Sequence, residues 1–576
     1  MPEFTPTLSG IVQRRGDFAT VAEALDYAAQ GDTGLNFYSV RGELTTRLPY
    51  RDLAAEARGL ARRLLGAGLT PGERVAIVAE TKPDFVRAFF ACQYAGLIPA
   101  PLPLPTAFGG RAGYVAHIRR LVIEADAVAL FATEPLLGWL RPIIPETGVR
   151  LCGTIAELDA ILPAEVLPTV GPDAVAYLQF SSGSTRFPIG VVVHQRALMA
   201  NVAAILTHGL QLGPTDRAVS WLPLYHDMGM VGFLLTPLAG QLSVDLLATA
   251  DFARRPHLWL TLMAEHRATT SYSPSFGYDL CTRRERKPDE PPLDLSSWRV
   301  AGIGGDMIRP AVLDAFAAAF AASGFSAKAF LPSYGMAEAT LAIAFGPIGH
   351  GVEIDTVDLD RLEQDGVATA PASANRRSRD VVLCGAALPG HEIDIRDATG
   401  RTLPDRRVGR ILVRGPSLMR GYDGRAAETE AVLSPEGWLD TGDLGYRLGA
   451  SLVITGRAKD LIIINGRNIW PQDLEWTIEQ EVPQIRSGNV AAFSIEEDGH
   501  EVLILAAETR ALASGGGREM LMSSIGDSIR AQHGLEGRVL LLPANTLPYT
   551  SSGKLSRSAI RQRYLAGTLL PAAVPA

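Results

Sequence analysis

Cysteine is scarce in this chain: four occur in 576 residues, Cys92, Cys152, Cys281 and Cys384. They lie far apart and share no metal-ligand spacing with histidine, which argues against a cysteine–histidine metal site. A long apolar run is also missing. The best stretch, around Leu234 to Ala250, is broken by Pro237, Gly240, Gln241 and Asp245 and cannot span a bilayer. Nor is there an excess of positive charge, since 62 acidic side chains stand against 54 basic ones with no long like-charge block. That balance argues against nucleic acid or an anionic membrane as the main partner. The N-terminal MPEFTPTLSG has neither a basic n-region nor an apolar h-region, so no secretory signal and a cytoplasmic location are expected.

What the chain has is core. Hydrophobic residues make up 47% of it and charged ones 20%, the composition of a globular protein with a large interior. The length suggests roughly three to four folding units. From residue 50 to about 340, helix and strand patterns alternate at α/β spacing. Leu53, Ala57, Leu60, Ala61 and Leu64 recur on one helical face, which stops at Gly66-Ala67-Gly68. Strands are expected at 75–79, 128–132, 176–180, 190–194, 243–247 and 299–303, in parallel sheets covered by helices. After residue 380 the texture turns to short strands, a smaller β-rich subdomain. From Gly456-Arg457-Ala458-Lys459-Asp460 onward, about 120 residues read as a compact α+β unit. The expected class is therefore α/β: a large N-terminal domain over 1–456 with two parallel-type sheets, then a small mobile domain over 457–576. Gly346–Asp380 stands apart as an excursion with little regular structure beyond an amphipathic piece at Val357–Leu362.

Ser181-Ser182-Gly183-Ser184-Thr185-Arg186-Phe187-Pro188-Ile189-Gly190 lies between two apolar runs. Its hydroxyls and glycine leave backbone N–H groups free to approach a polyphosphate closely. It is not a Walker loop, because no Lys follows the last Gly. Such a run is also compatible with a solvated turn. A second turn near the C-terminus, Thr550-Ser551-Ser552-Gly553-Lys554-Leu555, carries one Lys in a similar setting.

Between these loops lie Trp221-Leu222-Pro223-Leu224-Tyr225-His226-Asp227-Met228-Gly229, Ser333-Tyr334-Gly335-Met336-Ala337-Glu338, Leu439-Asp440-Thr441-Gly442-Asp443-Leu444 and Gly456-Arg457-Ala458-Lys459-Asp460. In this order and spacing the motifs resemble the adenylate-forming superfamily of acyl-CoA synthetases, peptide-synthetase adenylation domains and beetle luciferases. The resemblance covers about residues 35 to 565. Within the superfamily the chain looks like a fatty acyl-AMP ligase. Arg186 and Ile189 stand where most acyl-CoA synthetases carry Gly and Lys, and Ala337 stands where Thr is usual. Ile462-Ile463-Ile464-Asn465-Gly466-Arg467-Asn468 is close to that subfamily's form, and Gly346–Asp380 falls at its characteristic insertion. Gly304-Gly305-Asp306, Trp470 and His194-Gln195 depart from the usual pattern.

The resemblance implies ATP and Mg²⁺ as cofactors, a fatty acid as substrate, and an acyl carrier protein or synthase carrier domain on another chain as partner. Ser181, Ser182, Gly183, Ser184 and Thr185 would hold the β- and γ-phosphates, and Glu338 the Mg²⁺. Lys554 would bridge the substrate carboxylate and the α-phosphate. Asp443 would accept from both ribose hydroxyls, with Arg457 beside it. Ser333, Tyr334, Gly335 and Met336 would pack on adenine, and Gly304, Gly305 and Asp306 would read its edge. His226 would sit near the carboxyl, though a core histidine remains possible, and Lys459 would be the hinge. Leu222, Met230, Phe233, Ser275 and Phe276 are candidate walls of an acyl tunnel. Ile525-Gly526-Asp527-Ser528-Ile529 imitates a carrier-protein attachment sequence, but Ser528 reads as an ordinary helix residue. An acyl-CoA synthetase, or an adenylate-binding protein without catalysis, stand as alternatives.

Overall fold

The computed structural model describes residues 13–105, 110–181, 188–284, 292–509, 516–550 and 554–569. Helix Tyr50–Gly66 buries Leu53, Ala57, Leu60, Ala61 and Leu64, the face its periodicity marks. It packs beside helix Pro83–Ala95, and the first parallel sheet orders strands Ile98–Leu102, Arg74–Val78, Ala127–Phe131 and Leu151–Gly153. A second sheet has nine strands. Its parallel centre runs Phe330–Gly335, Val300–Ile303, Thr270–Ser273, Ala218–Ser220, Val244–Leu247 and Gly34–Tyr38. Antiparallel strands close both edges, Ala342–Phe345 and Ala386–Ala387 on one side and Leu44–Pro49 on the other. One core cluster extends from Phe18 to Leu452 across these layers.

Two expectations need correction. Val175–Phe180 and Gly190–His194 do not enter a parallel sheet; they pair antiparallel with each other. Only residues 181–189 separate them, too few for the crossover that a parallel pair requires. Gly346–Asp380 is also better ordered than its composition suggests. Strand Ile354–Asp358 pairs antiparallel with Ser378–Val382, and helix Leu359–Asp365 lies between them. The Asp358 side chain caps that helix by accepting from Arg361 N at 3.0 Å. Val357 and Leu362 are fully buried and pack with Tyr446, Val453 and Trp470. The apolar positions are few and interleaved with Asp and Arg, so the sequence hides their period.

The β-rich subdomain is a four-stranded antiparallel sheet of Glu392–Arg396, Gly409–Arg414, Leu439–Leu448 and Ser451–Arg457. Beyond it, strands Val490–Glu497, His500–Thr509 and Gly537–Pro543 form a sheet with cores on both faces. Val490, Ala492, Leu503 and Leu505 serve one face, Ala491, Phe493 and Ile504 the other, as strand alternation requires. Helices Pro471–Glu481, Gly516–His533 and Arg557–Leu565 accompany that sheet.

Candidate active site

A cleft of about 890 Å³ opens beyond the carboxyl ends of strands Val300–Ile303 and Phe330–Gly335. Open parallel sheets place ligands at such strand ends. Ser181, His226, Asp306, Tyr334, Glu338 and Asp443 reach it from the body, and Arg457, Lys459 and Lys554 from the segment after residue 456. Residues separated by up to several hundred positions thus meet around one space. Ser182, Gly183, Ser184 and Thr185 lie outside the described residues.

Glu338 sits in the short turn Ala337–Ala339. The chain leaves this turn through Thr340 at φ +69°, a conformation strained for a β-branched residue. Thr340 Oγ1 donates to Ser417 O at 2.7 Å, which holds the turn in place. Tyr422 Oη donates to Glu338 Oε1 at 3.0 Å. Burial pushes the Glu338 carboxyl above its ordinary range, opposed by bonds from its own backbone and from Tyr422.

Tyr334 ends its strand with Oη donating to Asp443 Oδ2 at 2.8 Å. Arg457 Nε stands 3.6 Å from the other oxygen of Asp443. Burial raises the Asp443 pKa, while Arg457 and the Tyr334 bond oppose the rise. Gly305 adopts φ +79° beneath Met228, where an added Cβ would come within 2.8 Å of the Met228 methyl. Gly304 lies just behind the wall, its hypothetical Cβ 2.8 Å from Ser333 Oγ. Asp306 is exposed at the rim, and its Oδ1 accepts from Met307 N at 2.8 Å. Ser333, Gly335 and Met336 line the same wall.

His226 Nδ1 lies 2.6 Å from Asp227 Oδ1, which also accepts from Met228 N at 2.7 Å. Gln179 Nε2 donates to Tyr225 O at 2.8 Å and fixes the loop from below. Burial would raise the Asp227 carboxyl, but the charges of His226 and Lys554 hold it below its ordinary value. Lys554 faces the same carboxylates. Burial lowers its pKa and Arg457 adds to that, while Asp306, Asp227 and Asp443 work against the shift.

An apolar arm continues the cleft. Phe233, Ser275 and Phe276 line it, joined by Ile205, Leu210 and Phe345, which the sequence reading did not single out. Phe276 is 46% exposed at the wall. Leu222 and Met230 are core residues that do not line the cleft, which corrects their place among the tunnel walls. Met230 belongs to the π-helical segment Met228–Leu235, of which Met228, Gly232 and Phe233 line the cleft instead. Lys459 lies in the turn Ala458–Asp460. Ser528 is a helix residue, 7% exposed, whose Oγ donates to Glu481 Oε2 at 2.6 Å. Tyr422, Arg309 and Arg557 were missed, since only tertiary contacts bring them to the cleft.

The cleft thus combines a carboxylate-rich end, a lysine and an apolar arm, features suited to joining a charged head group to an acyl chain. The family described as AMP-binding enzyme matches residues 28–423. A Caulobacter vibrioides protein provisionally named an acyl-CoA synthetase is 51% identical over 98% of each chain. The medium-chain-fatty-acid–[acyl-carrier-protein] ligase JamA of Moorena producens is 31% identical over 99% of this chain and 96% of its own. A structure from studies of fatty acyl-adenylate ligases of E. coli and L. pneumophila superposes with TM-score 0.92 at 45% identity, covering 96% of this chain and 99% of that one. No helix among the described residues is long and apolar enough to cross a membrane. With its fold, cleft and relatives in agreement, the chain belongs to the AMP-binding enzyme family and is a ligase.

Proposed function

We propose that this ligase uses ATP to convert a medium- or long-chain fatty acid to acyl-adenylate and pyrophosphate, then passes the acyl group to the phosphopantetheine thiol of a separate carrier protein with release of AMP. The observation that carries the reading is the meeting of Lys554 with Asp227, Asp306 and Asp443 beside an apolar arm. In the first step a carboxylate oxygen bonds to the α-phosphorus and the bond to pyrophosphate breaks. Two anions must approach, so a cation at the point of closing stabilises the transition state. Lys554 has the charge and reach for that, with Asp227 and His226 beside it.

Asp443 is suited to the ribose hydroxyls, and its Tyr334 bond holds it in place. Tyr334 and Ser181 line the same cleft, Tyr334 as a candidate to stack on adenine and Ser181 at the start of the loop assigned to the phosphates. No three His, Cys, Asp or Glu side chains cluster around a metal position among the described residues. A Mg²⁺ ion here would fit as one held by Glu338 with phosphate oxygens and waters, the usual manner for this ion. When bound it would neutralise phosphate charge. The turn at Lys459 is the hinge of this reading, separating a domain over 1–456 from one over 457–576.

The name of JamA supports the carrier-protein acceptor, and the Caulobacter relative's name supports a second reading, acyl-CoA synthesis. Fatty-acid-dependent pyrophosphate release across chain lengths tests the first step. Thioester formation with CoA against a holo-carrier protein separates the acceptors. No pyrophosphate release with any fatty acid overturns the proposal.

A further inference from the structure

Lys554 is bonded to Thr550 through its main chain. Thr550 N donates to Lys554 O at 2.7 Å, and Lys554 N donates to Thr550 Oγ1 at 3.2 Å. Tyr549 Oη donates to Gly488 O at 2.7 Å, and Leu555 bridges back to Tyr549 and packs on the C-terminal core, so both flanks of the turn are tied to that unit. Arg557 adds a tie to the hinge turn. It opens helix Arg557–Leu565, three residues after Lys554. Its Nε and Nη2 donate to both oxygens of Glu475, at 2.7 and 2.6 Å, and Nη1 donates to Asp460 Oδ2 at 3.2 Å.

The two carboxylates belong to different parts of the machinery. Glu475 lies on helix Pro471–Glu481, and its Oε1 also accepts from Ala492 N at 3.0 Å, so it is anchored in the C-terminal core. Asp460 closes the turn that contains Lys459. One planar fork therefore grips the rigid unit with one edge and the hinge turn with the other. A lysine, a single point charge, could not hold both. We propose that Arg557 is the positioning residue of Lys554, registering its loop against the hinge turn in the rotational state that forms acyl-adenylate. This rests on the role given to Lys554 above. When the turn changes its dihedral angles, Asp460 leaves the fork and the loop loses the hold that keeps Lys554 in the cleft.

The full-length protein tests this by dodecanoate-dependent exchange of labelled pyrophosphate into ATP, with ATP affinity measured by calorimetry. Arg557→Lys should lower kcat by about 10- to 100-fold, with KM and ATP Kd within about threefold of wild type. Asp460→Asn, which leaves the Glu475 contact whole, should lose about three- to tenfold in the same step. Arg557→Lys placed on Lys554→Ala should be no slower than Lys554→Ala alone, because the two act through one charge. An additive double variant, or equal losses in kcat and ATP affinity that track a fall in Tm, overturns the inference. Should Arg557→Lys fail to fold, Asp460→Asn on the Lys554→Ala background decides by the same comparison. A Lys554→Ala protein that exchanges pyrophosphate normally refutes the role of Lys554 instead, a result distinct from failure of the positioning.

Discussion

The body and the C-terminal unit contribute to one cleft on different terms. Each carboxylate of the body is held by a neighbour in the body: Glu338 by Tyr422, Asp443 by Tyr334, Asp227 by His226. Asp443 is also approached from beyond residue 456, by Arg457 Nε at 3.6 Å. Lys554 comes from the C-terminal unit and lines the same cleft. If the body binds the nucleotide and Lys554 serves the chemistry, as proposed, single substitutions should separate the two.

The largest effect is expected at Lys554. Lys554→Ala should lower acyl-adenylate formation by about a hundredfold or more while ATP affinity and Tm stay near wild type. A variant keeping more than about a third of the rate would remove the division of labour. Asp443→Ala should do the reverse, weakening ATP binding about tenfold through lost ribose contacts, as read by calorimetry. Unchanged nucleotide affinity would make Asp443 a purely structural partner of Tyr334.

The third test concerns what keeps the C-terminal unit docked. The excursion within residues 346–380 reaches that unit through ions: Glu363 pairs with Arg467 at 2.6 Å, and Arg379 pairs with Asp473 at 3.1 Å. If these contacts restrict rotation, Arg379→Met with Arg467→Met should leave adenylation measurable and let acyl-CoA appear. Deleting the excursion is a blunter probe, because it would expose Tyr446 and Trp470 as well. If the double variant adenylates well yet makes no acyl-CoA, these ion pairs are not the gate.

The smallest effect is in pH. Burial pushes the Asp473 carboxyl up to about 6, with Arg379 opposing the rise. Between about pH 4 and 6 the folded chain then holds a proton that the unfolded chain has lost. Stability from this group therefore falls as pH rises through that window, by at most about 3 kcal/mol. Asp473→Asn should flatten that part of the urea-midpoint profile. An unchanged slope would show that Arg379 keeps the carboxylate charged throughout.

Much of the fold was legible because period and punctuation agree. Helix Tyr50–Gly66 shows its buried face in five apolar residues, and strand Arg74–Val78 follows the expected glycine stop. The excursion was not, because its strand Ile354–Asp358 buries Asp355 beside Val357, so polarity no longer tracks exposure. Asp355 is held there by Arg406 at 3.0 Å and Tyr446 at 2.6 Å, partners a linear reading cannot supply. The site was legible wherever a motif keeps its residues close together, as in Tyr225-His226-Asp227. It was opaque where the partner is distant. Tyr422 reaches Glu338 from 84 residues away, and Arg557 reaches Asp460 from 97.

Thr340 has a consequence for anyone who would make this enzyme hardier. At φ +69° a threonine costs about 1 to 3 kcal/mol relative to a relaxed residue, and glycine would relieve most of that. Yet Thr340 follows Glu338 by two residues, and its hydroxyl bond to Ser417 stops the turn from relaxing. Thr340→Gly would relieve strain but forfeit that buried bond, a loss of about 1 to 3 kcal/mol, and would loosen the aim of the buried carboxylate. Such a change gives little stability for the control it removes, which makes this a position to hold fixed when the rest of the chain is optimised.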